Sequence, residues 1–307
     1  MLSCTVRRLK ETAGTITGEL TFLSSAPGAE KENHLYWSTL NMISPTARRS
    51  LIRELEEKDI EIDWPGALDQ LCYTVVHDWR QGEPIRKVGI LPAPQRTTYR
   101  LDPLLRELEP TIFYGEKGSG KSLLATFFSL LIQGNISLLN LVPEAGNVLY
   151  LDYETNEEDI NERMKAMKAG MKMDDNIEIF YRYSYRALAD EAEEIHEAIH
   201  DLDIHTLIVD SLGDACGGEP EKTDAVLRMY GVLRSYRRTS LLIDHVSKEA
   251  LKGKTRTPFG SVYKANRARS LFEVRGSQEG EDLDIGLFHR WANNTAKIAP
   301  MGFHVNF

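Results

Sequence analysis

From Thr111 to Asp244, short runs of consecutive apolar residues alternate with longer segments in which apolar residues recur every three or four positions. Runs of the first kind read as strands buried on both faces, and segments of the second kind as the helices that cover them. The pattern predicts strands at 111–114, 147–152, 177–181, 205–210 and 240–244, and helices at 123–132, 156–170, 190–202 and 221–238. Three further apolar stretches, 270–274, 283–290 and 302–307, are separated by turn residues with no helical segment between them, so an antiparallel extension is expected there. No additional domain is expected after the last stretch. Alternating strands and helices imply a mainly parallel sheet with helices on both faces.

Residues 1–81 follow a different pattern. Cys4–Lys10 and Thr15–Leu23 read as two strands around a turn at Ala13-Gly14. A helix starts at Pro45 behind Ser44 as N-cap and runs to about Lys58. A second helix spans Gly66–Arg80, with Leu68, Leu71, Val75 and Trp79 along one side. These elements make a small α+β unit. Five of the twelve prolines then fall between residues 82 and 110: Pro84, Pro92, Pro94, Pro103 and Pro110. Such spacing reads as a semi-rigid linker. The expected organisation is therefore a small domain at 1–81, a linker at 82–110 and an α/β domain at 111–307.

The sharpest chemical signal stands between the first strand and the first helix of the large domain. Gly115-Glu116-Lys117-Gly118-Ser119-Gly120-Lys121-Ser122 is a complete G-x-x-x-x-G-K-[ST] phosphate-binding loop in its required context. A phosphate tail needs many donors within a small volume, and bulky side chains cannot supply them. Glycines let the backbone turn its N–H groups inward, and the new helix points its positive end at the same place. Lys121 would reach the β- and γ-phosphates, and the Ser122 hydroxyl would ligate Mg²⁺.

Three other strands end in polar residues at the edge where ligands bind in parallel sheets. The strand Val148–Leu151 ends in Asp152-Tyr153-Glu154; Glu154 is the candidate for polarising an attacking water, with Asp152 as the alternative. Thr206–Val209 ends in Asp210, the pattern of a carboxylate that supports Mg²⁺. Leu241–Ile243 ends in Asp244-His245, and His245 can sense a γ-phosphate and pass the signal to the loop that follows.

Composition narrows the setting. A net charge of −9 argues against a protein coated in positive charge for duplex DNA. Cys4, Cys72 and Cys216 lie far apart, in no spacing that suggests a disulfide framework or a zinc site. His196 and His200 sit one helical turn apart, but among Glu193, Glu194 and Glu197 they read as a charged helix face. Arg7, Arg8 and Lys10 arrive too early for a signal segment, and no apolar run is long enough to span a membrane, so a cytoplasmic protein is expected.

Taken together, Gly-Glu-Lys-Gly-Ser-Gly-Lys-Ser, Tyr-Leu-Asp-Tyr-Glu, Ile-Val-Asp-Ser-Leu and Ile-Asp-His-Val-Ser-Lys resemble the RecA-like ATPases of the RepA type, hexameric replicative helicases of plasmids with relatives in phages and mobile elements. The resemblance covers residues 111–307. It implies a RecA-like P-loop core with a mainly parallel sheet and an antiparallel C-terminal extension, beside the small N-terminal α+β domain. By the same resemblance, Lys121 and Ser122 hold ATP and Mg²⁺, Glu154 is the catalytic base, Asp210 supports the metal, and His245 follows the sensor strand. The stretch Pro258–Ser261 with Asn266–Ser270 resembles the family's arginine-finger segment. Arg269 would then reach the ATP of an adjacent subunit, with Arg267 as alternate. One position departs: Trp291 stands where the family has a lysine, and Arg290 is the candidate substitute.

In such rings the loops after the fourth and fifth strands face the central channel. The second of these, Ser247–Gly260, carries Lys248, Lys252, Lys254 and Arg256 between glycines, a basic track for sequence-independent contact with single-stranded DNA. The reading is a hexameric ring ATPase that moves along single-stranded DNA in mobile-element or phage replication. Its main rival is a slowly hydrolysing regulatory or assembly module, such as a helicase loader or defence component, with a protein partner held by residues 1–110. A small-molecule kinase is disfavoured, because no lid or acceptor site is evident and Glu154 is present.

Overall fold

The computed structural model describes residues 2–24, 33–58, 62–82, 84–85, 87, 98–218, 223–246, 262–293 and 295–307. The chain divides into two compact units, Met1–Ala93 and Pro94–Phe307. Among the described residues no helix is long and apolar enough to cross a membrane.

The first unit is built on three antiparallel strands in the order β1-β2-β3: β1 (Leu2–Thr12), β2 (Thr15–Ser24) and β3 (Asn33–Asn41). Helices α1 (Pro45–Glu56) and α2 (Trp64–Gln81) follow. The sequence pattern missed β3, because Ser38 interrupts the alternation of inward Tyr36, Leu40 and neighbouring Met42. The start of α2 also falls earlier than Gly66, because the Asp63 carboxylate accepts from Gly66 N at 3.2 Å and caps the helix there. Ile16, Leu20, Phe22 and Leu40 of the sheet pack on Leu51, Leu55, Trp64 and Leu68 of the helices. The Trp64 ring meets Phe22 edge-on at 5.5 Å.

The second unit opens with β4 (Tyr99–Asp102) and β5 (Leu105–Arg106), inside the stretch read as a linker. Leu101 and Leu105 of these strands and Leu104 of the turn between them are buried in the main core, so burial outweighs the proline signal. Pro103 lies between the two strands and Pro110 begins the next one; neither extends a spacer. There follow β6 (Pro110–Gly115), α3 (Lys121–Gly134), β7 (Val142–Pro143), β8 (Asn147–Asp152), α4 (Glu157–Met171) and β9 (Phe180–Tyr183). After a 3₁₀ turn at Leu188–Asp190 come α5 (Ala192–Asp201), β10 (Ile204–Asp210), α6 (Leu212–Ala215), α7 (Thr223–Tyr236) and β11 (Thr239–His245). The unit closes with α8 (Val262–Arg267), β12 (Ser270–Glu279), β13 (Asp282–Ala292) and β14 (Met301–Asn306). Strands β4, β5 and β7 form a small separate sheet.

The main sheet has eight strands in the order β14-β13-β12-β6-β11-β10-β8-β9. From β12 to β9 every pairing is parallel, and β13 and β14 add antiparallel. The phosphate-loop strand β6 and the acid-ending strand β10 are separated by β11, which is the RecA-like P-loop arrangement. Successive strand residues face opposite cores, as the side-chain period of two requires. Phe113, Tyr150, Ile208 and Ile243 face α3 and α4, whereas Ile112, Leu149, Val209 and Leu242 face α5 and α7.

The antiparallel extension touches the phosphate loop directly. A Cβ placed on Gly276 of β12 would lie 2.7 Å from Ser119 Cα, so only glycine permits this approach. Gly276→Ala should cost about 1–3 kcal/mol of stability and weaken nucleotide binding. Urea unfolding and nucleotide titration check this, and an unchanged midpoint with unchanged affinity would show that the loop yields freely.

Candidate active site

The phosphate loop leaves β6 at Gly115 and enters α3 at Lys121. Gly120 caps that helix at φ 88°, a left-handed conformation open to glycine, and a Cβ there would lie 2.4 Å from Ile285 Cδ1. Lys121 is buried, and its Nζ donates to the carbonyls of Gly115 at 3.2 Å and Glu116 at 2.8 Å. Burial lowers its pKa, opposed by the charges of Asp210, Glu154 and Asp244. The lysine is therefore folded over its own loop, held by backbone oxygens that an anion can replace. Glu116 and Lys117, which point away from the chain's core, are exposed at the loop's outer bend, whereas Ser119 is buried beneath it.

Register brings three other strand ends to the loop. Gly115 lies opposite His245, Asp210 opposite Ile243, and Asp152 opposite Asp210. Asp210 is 4% exposed; the Tyr150 hydroxyl donates to its Oδ2 at 2.7 Å, while Oδ1 is buried and makes no hydrogen bond. Burial raises the Asp210 pKa, and the hydroxyls of Ser122 and Tyr150 oppose the rise. An unpartnered carboxylate oxygen next to a serine hydroxyl is an all-oxygen donor set suited to a hard divalent cation. Ser122 and Asp210 therefore fit Mg²⁺, which when bound would neutralise charge on the phosphates.

The structure separates the two candidate bases. Asp152 is 1% exposed and its oxygens are occupied. Oδ1 accepts from the backbone N–H of Glu154 and of Thr155, each at 3.0 Å, and Oδ2 accepts from the hydroxyls of Thr155 at 2.6 Å and Tyr181 at 3.1 Å. Asp152 thus holds the turn that presents Glu154. The Glu154 side chain is partly exposed, and its Oε1 lies 2.9 Å from His245 Nε2. Nε2 carries the proton when Glu154 is ionised. That bond to His245 lowers the Glu154 pKa; Ser211 and Lys121 reinforce the effect, and burial opposes it.

Arg269 is not brought to this site. It is exposed just before β12, its N–H donating to Pro110 O at 2.8 Å, at the opposite edge of the sheet from Gly115. Five strand positions separate the two levels, about 16 Å. Arg267 is also exposed, at the end of α8. Arg290 is held elsewhere: its Nε donates to buried Glu273 at 2.7 Å, Arg275 donates to the same carboxylate at 2.8 Å, and both guanidiniums lie over the Phe288 ring. Trp291 is exposed beside it. Lys248, Lys252, Lys254 and Arg256 lie outside the described residues.

Sequence reasoning passed over two residues that shape the site. Tyr150 is a polar tip within an otherwise aliphatic strand, which is the signal that was available. Lys264 carried no signal: a lysine on a short helix reads as exposed, yet its Nζ lies 3.2 Å from both oxygens of Asp244, and both residues are buried.

Comparison of the sequence with known families gives a match. A sequence model of the AAA domain matches residues 84–250, over half of the chain. The chain belongs to this AAA domain family. The match starts within the proline-rich stretch and takes in the phosphate loop, Glu154, Asp210 and His245. The crystal structure of a KaiC-like protein from the hyperthermophilic archaeon Pyrococcus horikoshii OT3 is similar at 14% identity and a TM-score of 0.49, covering 69% of this chain and 94% of that one. No curated protein matches the sequence. P-loop ATPases of this kind generally bind ATP with Mg²⁺ and hydrolyse it.

Tyr150→Phe should leave Asp210 Oδ2 without the hydroxyl that donates to it at 2.7 Å. A loss of about 1–3 kcal/mol is expected in urea unfolding at neutral pH. An unchanged midpoint would mean that the hydroxyl contributes nothing to holding that carboxylate.

Proposed function

We propose that this chain is a ring-forming ATPase of the RepA type, a hexamer that binds MgATP between subunits and moves along single-stranded DNA during replication of a mobile element or phage. The observation that carries this reading is the separation of Arg269 from its own phosphate loop. An exposed arginine about 16 Å from the nucleotide edge of its own chain is too far to serve that nucleotide, which supports a role toward a neighbour. Lys121 would hold the phosphates, Ser122 and Asp210 the metal, and Glu154 would take a proton from the attacking water. His245 would release Glu154 as it turns toward the γ-phosphate. The basic stretch at 248–256 supplies charge for the DNA backbone.

A second reading has its own support. Arg290 is engaged by Glu273, and Trp291 occupies the position where the resemblance leads one to expect a lysine. Weakened activation between subunits fits a regulatory or assembly module that hydrolyses slowly and recruits a protein through residues 1–110.

Steady-state hydrolysis with and without single-stranded DNA, with Lys121→Ala as the blank, separates the two. The motor reading expects stimulation of about tenfold; slow turnover indifferent to DNA would overturn it in favour of the second. Arg269→Ala should abolish hydrolysis while leaving ATP binding near normal, and an equal loss of both would make that arginine structural.

The acid limb of the rate gives a further test. His245 keeps Glu154 ionised to lower pH than an ordinary glutamate, so activity that needs the anion persists as pH falls. In His245→Ala the Glu154 pKa rises, and the residual rate should begin to fall at higher pH. The pH profile of kcat/KM from about pH 4 to 7, which reports the enzyme before ATP draws His245 away, reads this directly, and identical acid limbs would remove His245 from control of the base.

A further inference from the structure

The least expected group in the large unit is the Lys264 side chain, which is 0% exposed. Its ammonium sits 3.2 Å from both carboxylate oxygens of Asp244, itself 1% exposed. A fully buried lysine survives only with a partner, and removing either charge leaves the other stranded. Position gives the pair its interest. Asp244 is the residue before His245, and its Oδ1 also accepts from the His245 backbone N–H at 3.0 Å. Lys264 lies on α8, the short helix that leads to Arg267 and Arg269. The Tyr230 hydroxyl of α7 donates to the Lys264 carbonyl at 3.1 Å, which holds the same helix against the core.

These contacts connect two edges of the sheet. Asp244 lies level with Tyr114, one residue from the phosphate loop. Arg269 is anchored to Pro110, at the far end of the same strand. Between them run the extended Lys264 side chain and the helical residues Lys264 to Arg267, which rise about 6 Å. An exposed chain segment would absorb a shift of His245 without passing it on. A buried ion pair with its partners packed on every side transmits the shift, because close-packed groups move together or repack.

We propose that Lys264 is a positioning residue: through its buried pair with Asp244 it couples the nucleotide-facing end of β11 to α8, so that the contact made by His245 in one site sets the orientation of Arg269 toward the next. The proposal rests on the functional reading above, in which His245 answers the γ-phosphate and Arg269 serves a neighbouring subunit.

The test removes both charges at once, with Asp244→Asn and Lys264→Met in one chain. Asparagine retains an acceptor for the His245 N–H, and methionine fills the unbranched space of the lysine. Binding of a fluorescent ATP analogue should stay within about threefold of wild type, while kcat falls about tenfold or more, a loss confined to catalysis. A folded double variant that hydrolyses ATP at the wild-type rate would overturn the proposal.

Should that variant fail to fold, hydrogen exchange on the wild-type protein decides. On adding a non-hydrolysable MgATP analogue, the amides of 243–246 and 262–268 should change protection together. A response at 243–246 with none at 262–268 would reject the coupling. Failure of the wild-type protein to bind ATP at all would sink the functional reading itself, and this proposal with it.

Discussion

A one-residue slip of β10 against β8 or β11 would turn Asp210 to the opposite face of the sheet and leave the phosphate loop without its carboxylate. The register of four adjacent parallel strands is therefore the constraint on which the site depends. It sets Gly115 beside His245 and Asp210 between Asp152 and Ile243. The register is held by burial on both faces. Each strand from β6 to β8 alternates its side chains between two apolar cores, and a slip would exchange the two sets. The local polar groups then refine what the register positions. Tyr150 reaches Asp210, Asp152 builds the turn of Glu154, and His245 Nε2 lies 2.9 Å from Glu154 Oε1.

Electrostatics at this edge are unbalanced in a useful way. Asp210, Glu154, Asp244 and Glu116 all act on the loop lysine Lys121, and Lys264 pairs with Asp244. Asp152 spends its charge on four donors, which leaves Glu154 and Asp210 as the carboxylates with unused capacity. Their difference in surroundings suits different work. Glu154 is partly exposed and its pKa is lowered by His245, surroundings that would suit a base. Asp210 is buried with Oδ1 making no hydrogen bond, surroundings that would suit a metal-supporting group.

Much of this was legible in the sequence because the chemistry sits at ends of apolar runs. Continuous hydrophobic stretches before Gly115, Asp152, Asp210 and Asp244 marked buried parallel strands, and the polar residue after each marked the ligand edge. The less legible parts fail for identifiable reasons. Strands β4 and β5 are short and flanked by prolines, so composition spoke for a spacer while Leu101, Leu104 and Leu105 spoke for a core. Strand β3 lost its alternation at Ser38. The choice between Asp152 and Glu154 needed hydrogen-bond partners from Thr155 and Tyr181, and no spacing reveals those. Lys264 was hidden because a charged residue is buried only when a distant partner meets it, and Asp244 lies on the other side of a long loop.

The most direct measurement is parallel determination of MgATP binding and hydrolysis by Glu154→Gln. This substitution keeps the size of the side chain and its contact with His245 but removes the proton acceptor. If Glu154 is the base, affinity should remain near that of the wild-type protein while hydrolysis falls by about 100-fold or more. Hydrolysis close to the wild-type rate would contradict that role and send the search back to Asp152.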